Sequence, residues 1–90
     1  MSLSQSEPLR FARQYKLQWE KAQDAWVLLY PEGLIKLTGS AGEILKRIDA
    51  HSSAEDIINS LQSAFPEADL HKDVIDFLEH AHDKGWITVA

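Results

Sequence analysis

Four histidines, one glycine-rich stretch and fourteen carboxylates are the residues of this 90-residue chain whose types could do chemistry. A protein-bound metal needs three or four ligands converging on one point. On a helix of about 100° per residue, His80 and His82 lie about 160° apart and cannot share an ion. His71 and His82 do share a face, but at about 1.5 Å per residue they stand about 16 Å apart. No His-Glu-x-x-His or Asp-x-Asp pattern occurs, so the histidines read as surface residues. Thr38-Gly39-Ser40-Ala41-Gly42 has the small residues of a phosphate-cradling loop. It lacks the lysine of a P-loop and the spacing of a dinucleotide fingerprint, and Ser40 with Glu43 reads as a capping box instead. The serines fall at caps, on exposed helix faces or near the N-terminus, without a Gly-x-Ser-x-Gly elbow. There is no cysteine, which removes thiolate nucleophiles, thiolate metal sites and disulfides together. The expectation is a protein that is not an enzyme and needs no metal or other cofactor.

Composition supports one small globular domain, with 44% hydrophobic and 26% charged residues. The longest apolar run, Ala25 to Tyr30, is far too short to span a membrane, and the N-terminus lacks the basic and apolar regions of a signal peptide. A cytoplasmic location is expected. Nine Lys/Arg against fourteen Asp/Glu give a net charge of −5. The charge is uneven: residues 1–37 carry five basic and four acidic side chains, residues 38–90 four and ten. Phosphate backbones and anionic lipid are poor partners for such a surface, which leaves a peptide, a protein or a small molecule.

The elements that must position any site follow from the apolar periods. Residues 1–14 lack a clear period and contain Pro8, and read as a mobile arm with weak strand potential; residues 15–90 form the domain. Tyr15, Leu17 and Trp19 alternate with Lys16, Gln18 and Glu20, the period of a half-buried strand. Ala25 to Tyr30 is apolar on both faces, as in a strand covered on both sides. Tyr30-Pro31-Glu32-Gly33 is a tight turn, and Leu34 to Leu37 returns as a third strand in a hairpin with the second. From Ser40 the period becomes helical. Ile44, Leu45 and Ile48 stripe a first helix. Ser53 caps a second, with core face Ile57, Ile58, Leu61 and Phe65 and a stop at Pro66. Asp69 caps a third helix that runs to about Lys84 with core face Leu70, Val74, Phe77, Leu78 and Ala81. Gly85 ends it, and Trp86 to Val89 forms a short strand or an extended tail. The fold class is α+β: a small winged-helix-like domain of three N-terminal antiparallel strands followed by three helices.

The third helix is the informative one. Opposite its core stripe lie Asp69, Asp73, Asp76, Glu79 and Asp83. Between the two runs a mixed stripe of His71, Ile75, Leu78 and His82, with Ile75 about 115° off the core centre. This semi-apolar shoulder reads either as a docking surface or as an isolated exposed apolar residue, a common feature. In a winged-helix DNA-associated regulator, the alternative function for such a fold, this helix would enter the major groove. Five acids against Lys72 and Lys84 oppose that use. A small enzyme or quinone-binding protein is a third reading, for which no convergent polar constellation exists.

With these elements in place the sequence resembles PqqD, the coenzyme PQQ synthesis protein D family, from about Tyr15 to Ile87. The resemblance rests on Leu29-Tyr30-Pro31-Glu32-Gly33, Lys36-Leu37, Ser40-Ala41-Gly42-Glu43-Ile44-Leu45, Phe65-Pro66, Asp73-Val74, Phe77-Leu78 and Gly85-Trp86-Ile87, in that order. The family usually has Asp-Gly after the first helix, where this chain has Asp49-Ala50. The resemblance implies a non-catalytic peptide chaperone in pyrroloquinoline quinone biosynthesis. Such a protein binds the precursor peptide PqqA and presents it to the radical-SAM enzyme PqqE, which crosslinks a Glu to a Tyr. It also implies that the peptide adds as a strand beside the third strand and against the third helix. The expected peptide-binding residues are then Leu34, Ile35, Lys36, Leu37 and Thr38 of the strand, with His71, Ile75, Asp76, Leu78, Glu79 and His82 of the helix. A short edge strand suits that role, since its free backbone groups supply affinity and side-chain pockets selectivity. Neither nucleic acid nor membrane is expected as a partner. The chain is expected to be a monomer, or a dimer that exchanges its arm.

Overall fold

Pro31 and Glu32 form a two-residue turn that folds the chain back on itself, and the central hairpin grows from it. The computed structural model describes residues 4–90. Strands β2 (Lys16–Glu20), β3 (Ala25–Tyr30) and β4 (Gly33–Lys36) form an antiparallel sheet in the order β2-β3-β4. Leu17 pairs with Leu28 and Leu28 with Ile35, while Trp19 pairs with Trp26. Because side chains alternate along a strand, this register gathers Leu17, Trp26 and Ile35 on one face, where they pack against the helical core. Val27 and Leu28 point to opposite faces and are both fully buried, so the centre of β3 is covered on both sides, as its continuous apolar run predicts.

Three helices follow: α1 (Ala41–Leu45), α2 (Ala54–Ala64) and α3 (His71–Asp83). The strands-then-helices order expected from the sequence is the order observed. The start of α2 also matches: Ser53 Oγ accepts from Asp56 N–H at 3.2 Å and Asp56 Oδ2 accepts from Ser53 N–H at 3.0 Å, a complete capping box. The box expected at Ser40 and Glu43 is absent. Ser40 already has helical backbone angles and its hydroxyl caps nothing; its carbonyl instead accepts from Ile44 N–H at 3.0 Å. Glu43 turns to Lys46 (3.4 Å) and Arg47 (3.2 Å). Burial pushes its carboxyl up, but these two cations outweigh that and hold it below its ordinary value. Arg47 Nε also donates to Ser60 Oγ at 3.0 Å, which ties α1 to α2. Nor does Asp69 cap α3. The N-cap is Leu70, whose side chain packs against the core, and no side chain bonds the helix start. The far end is as expected: Gly85 has φ +79°, Gly85 N–H reaches the His82 carbonyl and Trp86 N–H the Ala81 carbonyl, a Schellman motif.

The largest departure concerns the arm. Leu9–Phe11 is strand β1, paired antiparallel with β5 (Ile87–Val89). Leu9 is fully buried, its N–H donates to the Ser52 carbonyl and its carbonyl accepts from Ala50 N–H. The expectation of a mobile arm over 1–14 is therefore corrected at these residues; residues 1–3 lie outside those described. Three residues after a proline are too short a strand for a period to register. Leu9 and Ile87 thereby close the core of Ile44, Leu45, Ile57, Leu61, Val74, Leu78 and Ala81. Ala50 itself has φ +71°, so the turn in which the family usually has glycine holds an alanine in the left-handed region. Asp49 Oδ1 stabilises that turn by accepting from His51 N–H (2.9 Å) and Ser52 N–H (2.7 Å). Those bonds lower the Asp49 carboxyl below its ordinary value.

Candidate functional site

β4 is one of the sheet's two edges: in the order β2-β3-β4 it, like β2, has a neighbour on one side only, and of the two it is the strand the expected site residues lie on. Antiparallel ladders alternate bonded and non-bonded pairs. Leu37 N–H donates to the Trp26 carbonyl at 3.0 Å, so Ile35 opposite Leu28 is the next bonded position and Gly33 opposite Tyr30 the one after. Leu34 and Lys36 are left with their N–H and C=O groups turned outward. Both are exposed, Leu34 at 46%. Such an edge is a template for one more strand.

The structure sorts the expected site residues into two groups. On the strand, Leu34 and Lys36 offer backbone and side chain, and Thr38 is exposed. Ile35 is half-buried against the core. Leu37 does not fit: its side chain is buried in the core and its N–H is spent on Trp26. On α3, with Val74 as the reference direction, Leu78 lies about 40°, His71 about 60°, His82 about 80°, Ile75 about 100° and Glu79 about 140° round the same side. Leu78 is 0% exposed. It belongs wholly to the core seam, and its place on the shoulder is corrected; at so small an angle from Val74 it is covered by the same packing. Ile75, Glu79 and His82 are half-buried and His71 exposed, which leaves a shoulder of mixed polarity. Ile75 packs against the same core that Ile35 touches from the sheet. Asp76 is exposed and its Oδ2 holds Lys72 Nζ at 2.7 Å. This hydrogen bond and the charge behind it raise the Lys72 ammonium above its ordinary value.

Asp69 just before α3 and Asp73 and Asp83 on it are exposed as expected, so the face a DNA-binding helix would offer is acidic. His80 meets the ring of Trp86 edge-on at 5.5 Å, and Phe77 lies beside both. Phe65 departs from its expected core position and is 46% exposed, because the helix has ended at Ala64 and the chain turns outward at Pro66. Among the described residues, no group of three or more His, Asp and Glu side chains is gathered for a metal. No helix among them is long and apolar enough to cross a membrane.

A three-stranded antiparallel sheet edged by β2 and β4 and backed by three helices defines a class of small α+β domain. The fold is that of the PqqD part of PqqCD from Methylobacterium extorquens, solved in solution and described as a stand-alone recognition element for ribosomally synthesised and post-translationally modified peptides. The two superpose with a TM-score of 0.76 over 97% of this chain and 95% of that one, at 24% identity. Residues 25–87 match the family model of coenzyme PQQ synthesis protein D, PqqD. A PqqA binding protein of Acinetobacter baylyi is 47% identical over 78 residues, which cover 86% of this chain and 79% of that protein. One from Klebsiella pneumoniae is 47% identical over 79 residues, covering 87% and 86%. The chain belongs to the PqqD family.

Proposed function

We propose that this chain is a non-catalytic adapter that binds a PqqA-type precursor peptide as an added strand on β4 and presents it to the radical-SAM enzyme PqqE. The observation that carries the reading is the outward pair of backbone groups at Leu34 and Lys36, in a chain whose relatives are named for binding PqqA. An extended peptide there gains main-chain hydrogen bonds whatever its sequence, and side chains beside the strand supply the selectivity. Ile75 receives apolar residues of the peptide, Glu79 its cations, and Lys36 a carboxylate. His71 and His82 flank Ile75. Asp76 contributes only by giving up Lys72. The handover takes place in the cytoplasm, where the peptide is made.

Calorimetric titration with PqqA peptide in the presence of EDTA tests the reading. The expected dissociation constant is roughly micromolar, about −8 kcal/mol, because ordering a flexible peptide consumes much of the contact energy. Ile75→Asp and Glu79→Lys are each expected to weaken binding at least tenfold with the far-UV spectrum unchanged. Leu78→Asp, by contrast, unfolds the domain by placing a charge in its core. Binding that requires added metal, or wild-type affinity in both folded shoulder variants, overturns the proposal.

A further inference from the structure

On the other flank of α3 the three helices surround a cavity of about 320 Å³ that peptide binding at β4 does not use. The buried side chains of Ile44, Leu61 and Val74 floor it, one from each helix, and Phe65 and Leu70 wall it. Phe65 is the boundary with a second depression formed by the loop after α2, lined by Pro66 and Glu67. Phenylalanine is among the aromatic residues enriched at protein interfaces, and here a half-exposed one stands between two depressions. The volume is at the small end of the roughly 300–1,000 Å³ of ligand pockets, a size for one or two side chains rather than an extended peptide.

The charge at the mouth points to the partner. Asp73 is exposed at the rim and forms no ion pair among the described residues. Glu43 also lines the mouth, but Lys46 and Arg47 already neutralise it. Neither depression is lined by a lysine or arginine, so Asp73 and Glu67 leave the surface acidic. The matching surface carries a bulky apolar side chain beside a lysine or arginine. Relative to Val74, Asp73 points about 100° to one side of α3 and Ile75 about 100° to the other. The two sites can therefore be filled together, as a carrier requires while it still holds its cargo.

We infer that this cavity is where the modifying enzyme docks, by inserting one apolar side chain flanked by a cation. The inference rests on the handover reading above and names the surface that reading left open. The test measures the affinity of purified PqqE for the wild-type chain, Phe65→Ser and Asp73→Lys, with PqqA affinity and circular dichroism recorded for each. Phe65→Ser is expected to lower PqqE affinity at least tenfold and Asp73→Lys at least fivefold, the latter with a flatter salt dependence. PqqA affinity should stay within twofold in both. If wild type binds PqqA but not PqqE, the handover fails and the docking site with it. If wild type binds PqqE and both variants do so equally well, the docking site alone is refuted. A loss of PqqA affinity in parallel refutes it too, by assigning the cavity to the peptide. Self-association of the wild type that Phe65→Ser abolishes would assign it to a second copy and overturn the inference.

Discussion

Replacing Lys36 by proline separates a backbone contact from a side-chain contact at the β4 edge. Lys36 lies opposite Val27 at a non-bonded position of the hairpin, so its N–H faces away from β3. Proline is tolerated on an edge strand when the missing N–H is the outward one. The β3–β4 ladder should then survive Lys36→Pro, whereas Ile35→Pro removes a ladder bond to Leu28 and should disrupt the hairpin. Leu34 and Lys36 together offer two donors and two acceptors to an added strand. At a net of about 0.5–1.5 kcal/mol each, the set contributes about 2–6 kcal/mol, a large share of the roughly 8 kcal/mol of a micromolar complex. The proline removes one such bond and leaves a peptide carbonyl facing a ring without a donor, which costs about 1–3 kcal/mol. Lys36→Ala is the control, since it loses the ammonium and keeps the N–H. Lys36→Pro should therefore bind PqqA about tenfold more weakly than Lys36→Ala, tenfold being about 1.4 kcal/mol. Calorimetry gives the affinities, and amide NMR spectra report whether β3 and β4 remain paired. Equal affinities for the two variants, with the hairpin intact, would refute strand addition at this edge.

Two further predictions concern the scaffold. A Cβ at position 42 would lie 2.5 Å from Trp26 Cδ1 and 3.0 Å from its Cβ and Cγ, atoms at the base of the side chain that cannot swing aside. Gly42→Ala should cost about 1–3 kcal/mol of overpacking, offset by up to about 1 kcal/mol of helix propensity. Melting should fall by about 4–8 °C per net kcal/mol; an equal cost in a Trp26→Ala background would show that the clash is not the cause. Ala50→Gly relieves a left-handed alanine with φ +71°, a strain of about 1–2 kcal/mol, less about 0.5–1 kcal/mol for glycine's greater freedom when unfolded. Thermal melts should show a rise of a few degrees, and no rise would mean that the turn stores no strain.

The parts of the fold that announce themselves in the sequence are those with a long period or a strong local signal. Six apolar residues in β3, the turn at Pro31, the Ser53 cap and Gly85 are of this kind. Leu9–Phe11 carries no such signal, because a three-residue strand exists only through its partner β5 and the bonds to Ala50 and Ser52. Ser40 and Asp69 show the opposite failure: Ser40 does stand at the N-cap of α1 but its side chain bonds nothing there, and α3 takes Leu70, packed against the core, as its N-cap instead of Asp69. For the site, periodicity separates Ile75 from the core stripe. It does not resolve Leu78, where about 40° on the wheel is the difference between a wall residue and a fully buried one. The cavity at Phe65 was not legible at all, because three helices must be assembled before it exists.

The same geometry bears on how a carrier lets go. A dissociation constant near 1 μM with an association rate of about 10⁵–10⁷ M⁻¹s⁻¹ gives a release rate of about 0.1–10 s⁻¹. That is fast enough to pass a peptide on without an energy source. On the proposed reading, an edge that offers only Leu34 and Lys36 holds affinity in this range; a longer open strand would add bonds at about 0.5–1.5 kcal/mol each and slow release about tenfold for every one to three. The shortness of β4, four residues of which two face outward, is on this argument a functional property. Gly33 starts the strand directly at the turn, and the buried Leu37, bonded back to Trp26, ends it. Lengthening the edge by removing that constraint would make a tighter binder and a poorer carrier.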